Sequence, residues 1–143
     1  MRHVLTAGLA VLAFTPALRA LDEPPEKEKG PATTPRERYQ AVTGRPLAYV
    51  IGDMWLAGNI HNYGATHPRA IIDGKLERVP WVDPSDLRAR DAVVVWTADD
   101  RENLPPPYRT ALEQGAQIQQ PFDLPMRWGH GIVKVGWAIV PAQ

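Results

Sequence analysis

YVIGDMWLAGNI, residues 49–60, contains the transition that decides the fold. Its first three residues are apolar and predict a buried strand, which Gly52 and Asp53 interrupt. The residues from Met54 onward predict a helix. In α/β proteins, ligands bind where a strand passes into a helix in this way, at the carboxyl end of the strand. This junction is therefore the first place to look for a functional site.

Strand and helix patterns alternate on both sides of this junction. AVVVW (92–96) has no polar alternation, which is typical of a strand covered on both faces. The alternation predicts an α/β fold: a small, mostly parallel sheet with short flanking helices and one antiparallel strand at its edge, formed by the last segment. The predicted strands are Leu47 to Ile51, Arg69 to Ile72, Ala92 to Trp96, Ala116 to Gln120 and Ile132 to Val140, and the predicted helices are Arg36 to Val42, Met54 to Tyr63, a short one starting at Asp83-Pro84, and Tyr108 to Gln114.

Composition narrows the class of protein. A chain of 143 residues with 44% hydrophobic and 22% charged residues fits one globular domain. The 15 prolines argue against an all-helical fold. The formal net charge of +0 argues against a nucleic-acid partner, which would favour a basic excess. The absence of cysteine excludes zinc-thiolate sites and cysteine nucleophiles.

Residues 1–20, MRHVLTAGLAVLAFTPALRA, combine a basic start, an apolar centre and a small residue at Ala20. This pattern is typical of a cleaved signal peptide. The end of a membrane helix and an ordinary buried helix are the two alternatives, since the apolar stretch is short for a full span. Either of the first two interpretations places the rest of the chain in the periplasm or another extracytoplasmic space, exported or anchored through residues 4–18.

The next segment, DEPPEKEKGPATTPRE (22–37), is dense in Pro, Glu and Lys and has no apolar periodicity. Such a segment buries too little apolar surface to offset its ordering entropy, so it predicts a flexible linker. The predicted organisation is therefore a leader or membrane remnant at 1–20, a linker at 21–37 and an extracytoplasmic α/β domain at 38–143.

Asp53 and the helix after it supply the candidate site. Within a helix, Trp55, Asn59 and Tyr63 share one face, with Asp53 at its entrance. An indole beside an amide and a carboxylate suits a sugar, whose ring stacks on the indole while its hydroxyls take hydrogen bonds. A structural alternative explains the same residues: Asp53 caps the helix and Trp55 packs in the core.

Asp73 and Gly74 end the second predicted strand. If the first two strands are neighbours, Asp73 lies near Asp53, and two carboxylates there can bind a cation or act as an acid/base pair. Asp-Gly is also common turn chemistry, which explains the pair without any reaction. The predicted substrate-binding set is Asp53, Trp55, Asn59 and Asp73, and no catalytic residue is assigned.

The sequence carries no established cofactor or metal motif. It has no GxSxG, no GxxxxGK[ST] and no GxGxxG. His61 and His67 are six residues apart, which does not match the helical HxxxH spacing of metal ligands. We therefore predict no cofactor and no metal, and GHG at 129–131 predicts a turn.

Four segments carry a more specific resemblance: TGRPLAYVIGDMWLAGNI (43–60), AIIDG (70–74), PWVDPSDLRARDAVVVW (80–96) and GWAIVPA (136–142). In this order they resemble the C-terminal extracytoplasmic domain of bacterial family 39 membrane glycosyltransferases. That family is related to protein O-mannosyltransferases and lipid A aminoarabinose transferases. The resemblance covers about residues 37–142 and rests on phrases such as GDxWLAGN and GWAIVP.

In such enzymes, a polytopic membrane domain binds a polyprenyl-phosphate sugar, and a carboxylate in an early extracytoplasmic loop is catalytic. The C-terminal domain covers that site or helps to engage the acceptor. The resemblance therefore implies a domain that is non-catalytic alone and contributes to acceptor or carbohydrate engagement. Its implied partner is a polytopic membrane glycosyltransferase subunit or a lipid-linked sugar.

Two other functions stay open on the residues themselves. One is a small exported hydrolase or transferase that uses Asp53 and Asp73 as an acid/base pair. The other is a structural interaction module that docks onto a membrane partner through exposed apolar surface at Trp81 or Trp128.

Overall fold

The computed structural model describes residues 34–63, 66–125 and 131–143, so the predicted leader and the linker up to residue 33 lie outside the described residues. Strands and helices alternate through most of the described chain, as predicted. In chain order they are α1 (Pro35–Thr43), β1 (Tyr49–Gly52), α2 (Met54–Tyr63), β2 (Arg69–Ile72), α3 (Pro84–Arg88), β3 (Ala92–Thr97), α4 (Pro106–Glu113), β4 (Gln117–Ile118), β5 (Phe122–Pro125) and β6 (Ile132–Val140), with 3-10 helices at Leu76–Arg78 and Ala98–Asn103.

The described strands form one six-stranded sheet with the order β2-β1-β3-β6-β4, and β5 also pairs with β6. β1 lies between β2 and β3 and is parallel to both. β6 is antiparallel to β3, β4 and β5. The predicted α/β fold with a parallel core is therefore confirmed. Its antiparallel side contains three strands, and β6 lies inside the sheet because β4 and β5 form the edge.

β4 and β5 pair with β6 almost as one interrupted strand. Ile118 pairs with Ala138, and Phe122 pairs with Val135, so one extra residue lies between them on the edge side. This is the count that defines a β-bulge, which bends a strand and increases its twist. The Trp137 indole stabilises the irregular part by donating to the Gln120 carbonyl over 3.0 Å.

Helices cover both faces of the sheet. α2 connects β1 to β2 on one face of the sheet, and α3 connects β2 to β3 on the other face. The connecting helices therefore change faces between β1 and β3, which are neighbours in the sheet. Open α/β sheets bind ligands outside the carboxyl ends of the strands at such a point. The core under α1 and α2 includes Tyr39, Val50, Leu56, Ala57, Val93, Val95 and Trp137. The core under α3 and α4 includes Tyr49, Ile71, Ala92, Val94, Trp96, Leu104 and Tyr108.

One buried carboxylate joins three separate parts of the fold. Asp91, just before β3, accepts hydrogen bonds from the Tyr39 hydroxyl at 2.9 Å and from the Ala142 backbone N–H at 3.0 Å. It also forms an ion pair with Arg45. A charged group is buried at low cost only when it is paired in this way. Asp91 therefore fixes α1 and the C-terminal segment against the amino end of β3.

The predicted boundaries agree with the structure in most places. The ranges of α2, β2 and β6 coincide with the predicted ones, and α3 starts after the Asp83 cap as expected. The segment Ala116 to Gln120 is strand only at Gln117–Ile118. The sequence does not predict β5, because Pro121 precedes it and Pro125 is its last residue, and proline is rare inside sheets.

The first helix begins earlier than expected. α1 starts at Pro35, within the range assigned to the linker, because Thr34 and Glu37 form a capping box. The Glu37 N–H donates to the Thr34 hydroxyl over 3.3 Å, and the Thr34 N–H donates to the Glu37 carboxylate over 3.0 Å. The capping signal TxxE is present in the sequence, but it lies within the Pro-rich and charged segment 22–37. The composition of that segment favours a linker, so the capping box is not recognised there.

Candidate functional site

The candidate site lies at the carboxyl edge of the parallel strands. Gly52 is the last residue of β1 and pairs with Ile72, the last residue of β2. Asp53 and Asp73 therefore leave neighbouring strands at the same edge of the sheet, as the sequence predicted. The Asp73 N–H also donates to the Gly52 carbonyl over 2.8 Å, which fixes the two chain segments beside each other.

Asp53 caps α2. Its Oδ1 accepts hydrogen bonds from the backbone N–H groups of Trp55 at 2.7 Å and Leu56 at 2.8 Å. This confirms the capping role that the sequence left as an alternative. Its Oδ2 accepts no hydrogen bond from the residues that the structure describes, and the side chain is half-buried. Capping therefore leaves one carboxylate oxygen at this edge for a ligand.

Asp73 lies in a tight turn and forms an ion pair. Asp73 and Gly74 have φ angles of 55° and 67°, and the Lys75 N–H donates across them to the Ile72 carbonyl over 3.0 Å. The Asp73 Oδ2 accepts a hydrogen bond from the Arg78 guanidinium at 2.5 Å. The side chains of Asp73 and Arg78 are 30% and 51% exposed, so a ligand can reach both. The predicted turn is confirmed, and the Asp73 carboxylate in it is also paired with the Arg78 guanidinium.

Tyr108 is a residue of this edge that the sequence did not indicate. Tyr108 lies in the first turn of α4 and is fully buried, and its ring packs against Gly74. Its hydroxyl is buried and has no assigned hydrogen-bond partner within residues 34–63, 66–125 and 131–143. The Asp73 N–H, which donates to the Gly52 carbonyl, lies near the phenol oxygen and lowers its pKa slightly. The Tyr108 ring therefore packs against the turn that contains Asp73 and Gly74.

Both carboxylates lie close enough to this phenol to affect its pKa. Burial raises the pKa of the Tyr108 hydroxyl far above its usual value, and the negative charges of Asp73 and Asp53 raise it further. The phenol is therefore neutral across the physiological range. The charges of the two carboxylates therefore act on one buried group.

Trp55 and Asn59 lie on one side of α2, as predicted. The Asn59 Nδ2 donates to the Trp55 carbonyl over 2.6 Å, so this amide donor is used within the helix. Trp55 is 46% exposed, and the alternative that it packs in the core is wrong. The buried side of α2 is formed by Leu56 and Ala57 instead. The Tyr63 side chain, predicted on the same helix face, lies outside the described residues.

The described residues place limits on metal and membrane interpretations. Within 34–63, 66–125 and 131–143, no three His, Asp or Glu side chains gather into a group that could hold a metal ion. None of the helices in those ranges is long and apolar enough to cross a membrane. Trp128, His130 and the first two residues of the GHG turn lie outside these ranges.

No protein-family model, curated protein or solved structure matches this chain.

Proposed function

We propose that this chain is an extracytoplasmic accessory domain that engages carbohydrate at the carboxyl edge of β1 and β2. In this proposal it acts in the periplasm beside a polytopic membrane glycosyltransferase that uses a polyprenyl-phosphate sugar. The resemblance of residues 37–142 to the C-terminal domain of family 39 enzymes supports the partner. The observation that carries the binding role is the placement of Asp53 and Asp73, both half-exposed, at one edge of the sheet, with the exposed Trp55 in the first turn of the helix that Asp53 caps.

The chemistry of this edge suits a polyhydroxylated ligand. The unoccupied Oδ2 of Asp53 and the carboxylate of Asp73 accept hydrogen bonds from sugar hydroxyls, and such charge-assisted bonds are stronger than neutral ones. The Arg78 guanidinium has five N–H donors, of which the Asp73 bond uses few, so it also donates to ligand oxygens. The Trp55 indole supplies an apolar surface for the C–H face of the sugar ring.

Binding is favoured over catalysis because the carboxylates already have structural partners. Asp53 holds the first turn of α2, and Asp73 is paired with Arg78. An acid/base pair must reach the reacting atoms, and these contacts already engage one oxygen of each carboxylate. The hydrolase or transferase alternative remains a second proposal, since both carboxylates lie near one buried phenol. Turnover of an activated glycoside by the purified chain would favour it.

The docking module is a third proposal, and one observation favours it. Trp81, between the first 3-10 helix and α3, is 69% exposed. Tryptophan is enriched at protein–protein interfaces relative to the rest of the surface. Loss of co-purification with a membrane glycosyltransferase in Trp81→Ala, with sugar binding retained, would assign Trp81 to the partner contact and leave the sugar site unaffected.

Tryptophan fluorescence tests the binding proposal. A soluble analogue of a polyprenyl-phosphate sugar, or the free sugars, would be titrated into the wild-type chain, Trp55→Phe and Trp81→Phe. We expect a saturable change that is lost in Trp55→Phe and kept in Trp81→Phe. Both indoles are exposed, but Trp55 belongs to the helix turn that Asp53 caps, whereas Trp81 belongs to the segment before α3. A folded chain whose fluorescence responds to no sugar, or responds equally in both variants, would overturn the proposed site.

A further inference from the structure

His61 and His67 form a contact at the opposite end of α2 from Asp53. Their ring centroids are 5.9 Å apart, and the ring planes are inclined by 62°. His61 belongs to the last turn of α2, and His67 precedes Pro68 at the amino end of β2. The six-residue spacing did not predict this contact, because His67 lies beyond the end of the helix and the helical spacing rule does not apply to it.

The hydrogen bonds of the two rings fix which nitrogen carries the proton. The Nδ1 of His61 lies 2.9 Å from the Pro68 carbonyl oxygen, and the Nδ1 of His67 lies 3.0 Å from the His61 carbonyl oxygen. A carbonyl oxygen only accepts, so each Nδ1 must donate its N–H. In the neutral rings, each Nε2 therefore keeps its lone pair. Neither Nε2 has a hydrogen-bond partner among the described residues.

This is the arrangement that metal-binding histidines use. A ligating imidazole usually donates its second N–H to a backbone carbonyl or a carboxylate, which fixes the tautomer and the ring orientation. Both rings here have that support before any ion binds. With metal–nitrogen bonds of about 2.0–2.1 Å, two imidazoles on one tetrahedral ion have centroids roughly 5 Å apart. The observed 5.9 Å separation is within about 1 Å of that value, so a small rotation of the side chains brings the rings to the spacing that an ion requires.

The backbone supports the same interpretation. His67 has a φ of 41°, in the left-handed region that non-glycine residues adopt in only a few per cent of cases. Such conformations persist where the surroundings hold them, and they concentrate at functional sites. Here the bond from the His67 ring to the His61 carbonyl holds the residue in place.

We propose that His61 and His67 bind one late first-row divalent ion, Zn²⁺ or Cu²⁺, through their Nε2 atoms. Neutral imidazole is a preferred ligand of these ions and a poor one for Mg²⁺ or Ca²⁺. His67 is exposed, so water fills the remaining coordination positions. The ion would cross-link the end of α2 to the start of β2 and stabilise the connection between them.

This proposal is independent of the sugar site. His61 follows Asp53 by eight positions, which is about 12 Å along a helix at 1.5 Å per residue. The histidines lie at the amino end of β2, and the carboxylates lie at its carboxyl end.

Calorimetric titration of the full chain, without a polyhistidine tag, tests the site with ZnCl2 at neutral pH. We expect one Zn²⁺ per chain, displacement of Zn²⁺ by Cu²⁺, and no binding of Mg²⁺ or Ca²⁺. The variants are His61→Asn and His67→Asn, because Asn keeps an N–H donor near the Nδ1 position and removes Nε2. Asn also tolerates the left-handed backbone at position 67. Each variant should weaken zinc binding by about tenfold or more.

His130→Asn is the matched control and should leave the affinity unchanged. In wild-type chain, NMR spectra of the imidazole nitrogens give a second readout that needs no variant: zinc should shift the Nε2 signals of two histidines. Absence of saturable zinc binding, binding that survives both Asn variants, or binding lost only in His130→Asn would overturn the proposal.

Discussion

The backbone N–H of Asp73 donates to the carbonyl of Gly52 over 2.8 Å, which extends the pairing of β1 and β2 one residue beyond both strands. Because the pairing is parallel, the segments that follow β1 and β2 leave the sheet at the same edge. Asp53 and Asp73 are thus placed beside each other by backbone geometry. The candidate site needs no long-range rearrangement to assemble.

Removal of the Asp53 cap should destabilise α2 in a side-chain-specific way. Asp53→Ala should lower the free energy of unfolding by about 1 kcal/mol, because the N–H groups of Trp55 and Leu56 lose their acceptor. Asp53→Asn should change it little, since Asn is an equally good cap. Urea denaturation measures both. An equal loss in the two variants would show that the charge, and not the cap, stabilises this position.

Tyr108 and Tyr39 should respond in opposite directions to loss of their hydroxyls. The Tyr108 hydroxyl is buried and has no assigned hydrogen-bond partner in the described part of the chain, so Tyr108→Phe should raise the free energy of unfolding by about 1 kcal/mol. The Tyr39 hydroxyl donates to buried Asp91, so Tyr39→Phe should lower it by about 1–3 kcal/mol. Denaturant midpoints of the two variants provide the comparison. A destabilised Tyr108→Phe would mean that this hydroxyl has a partner in solution.

Gly74 should tolerate a side chain less well than Gly44, although both have left-handed backbones, with φ angles of 67° and 69°. Alanine at either position costs roughly 1–2 kcal/mol for that conformation. At Gly74 the new Cβ would also lie 2.7 Å from the Pro107 Cβ, whereas Gly44 has open space. Gly74→Ala should therefore be less stable than Gly44→Ala by about 1–3 kcal/mol. Thermal unfolding of both variants, showing equal losses, would contradict the packing of α4 against this turn.

Stability should fall at alkaline pH. Burial raises the pKa values of Tyr39, Tyr49 and Tyr108 above those of an unfolded chain, with further increases from the neighbouring Asp91, Asp86 and Asp73. The unfolded phenols ionise at about pH 10, so the stabilisation is complete below that pH and is lost as the pH rises through the folded pKa values.

Urea denaturation between neutral pH and about pH 12 measures this loss. Tyr49→Phe serves as the control and should give a shallower decline, because it removes one of the shifted groups. Identical pH profiles for the wild-type chain and this variant would exclude a contribution from Tyr49.

Local sequence signals predicted the elements around the site, and tertiary packing decided the rest. Gly52-Asp53 and Asp73-Gly74 are short-range signals for a strand end, a helix cap and a turn, and each appears where predicted. The exposure of Trp55 could not be predicted, because the choice of buried face depends on where Leu56 and Ala57 meet β3. Tyr108 reaches the site only through the packing of α4 on Gly74, which no local pattern encodes.

The proposed function depends on carbohydrate binding at the edge formed by Asp53, Trp55 and Asp73. Its most direct test is an NMR titration that follows the Trp55 indole N–H, assigned through Trp55→Phe, in wild-type chain and in Asp53→Asn. We predict a saturable shift of that signal in the wild-type chain, weakened at least tenfold in Asp53→Asn, whose α2 stays capped. An indole signal that no sugar or lipid-linked sugar moves, in a chain shown to be folded, would contradict the claim.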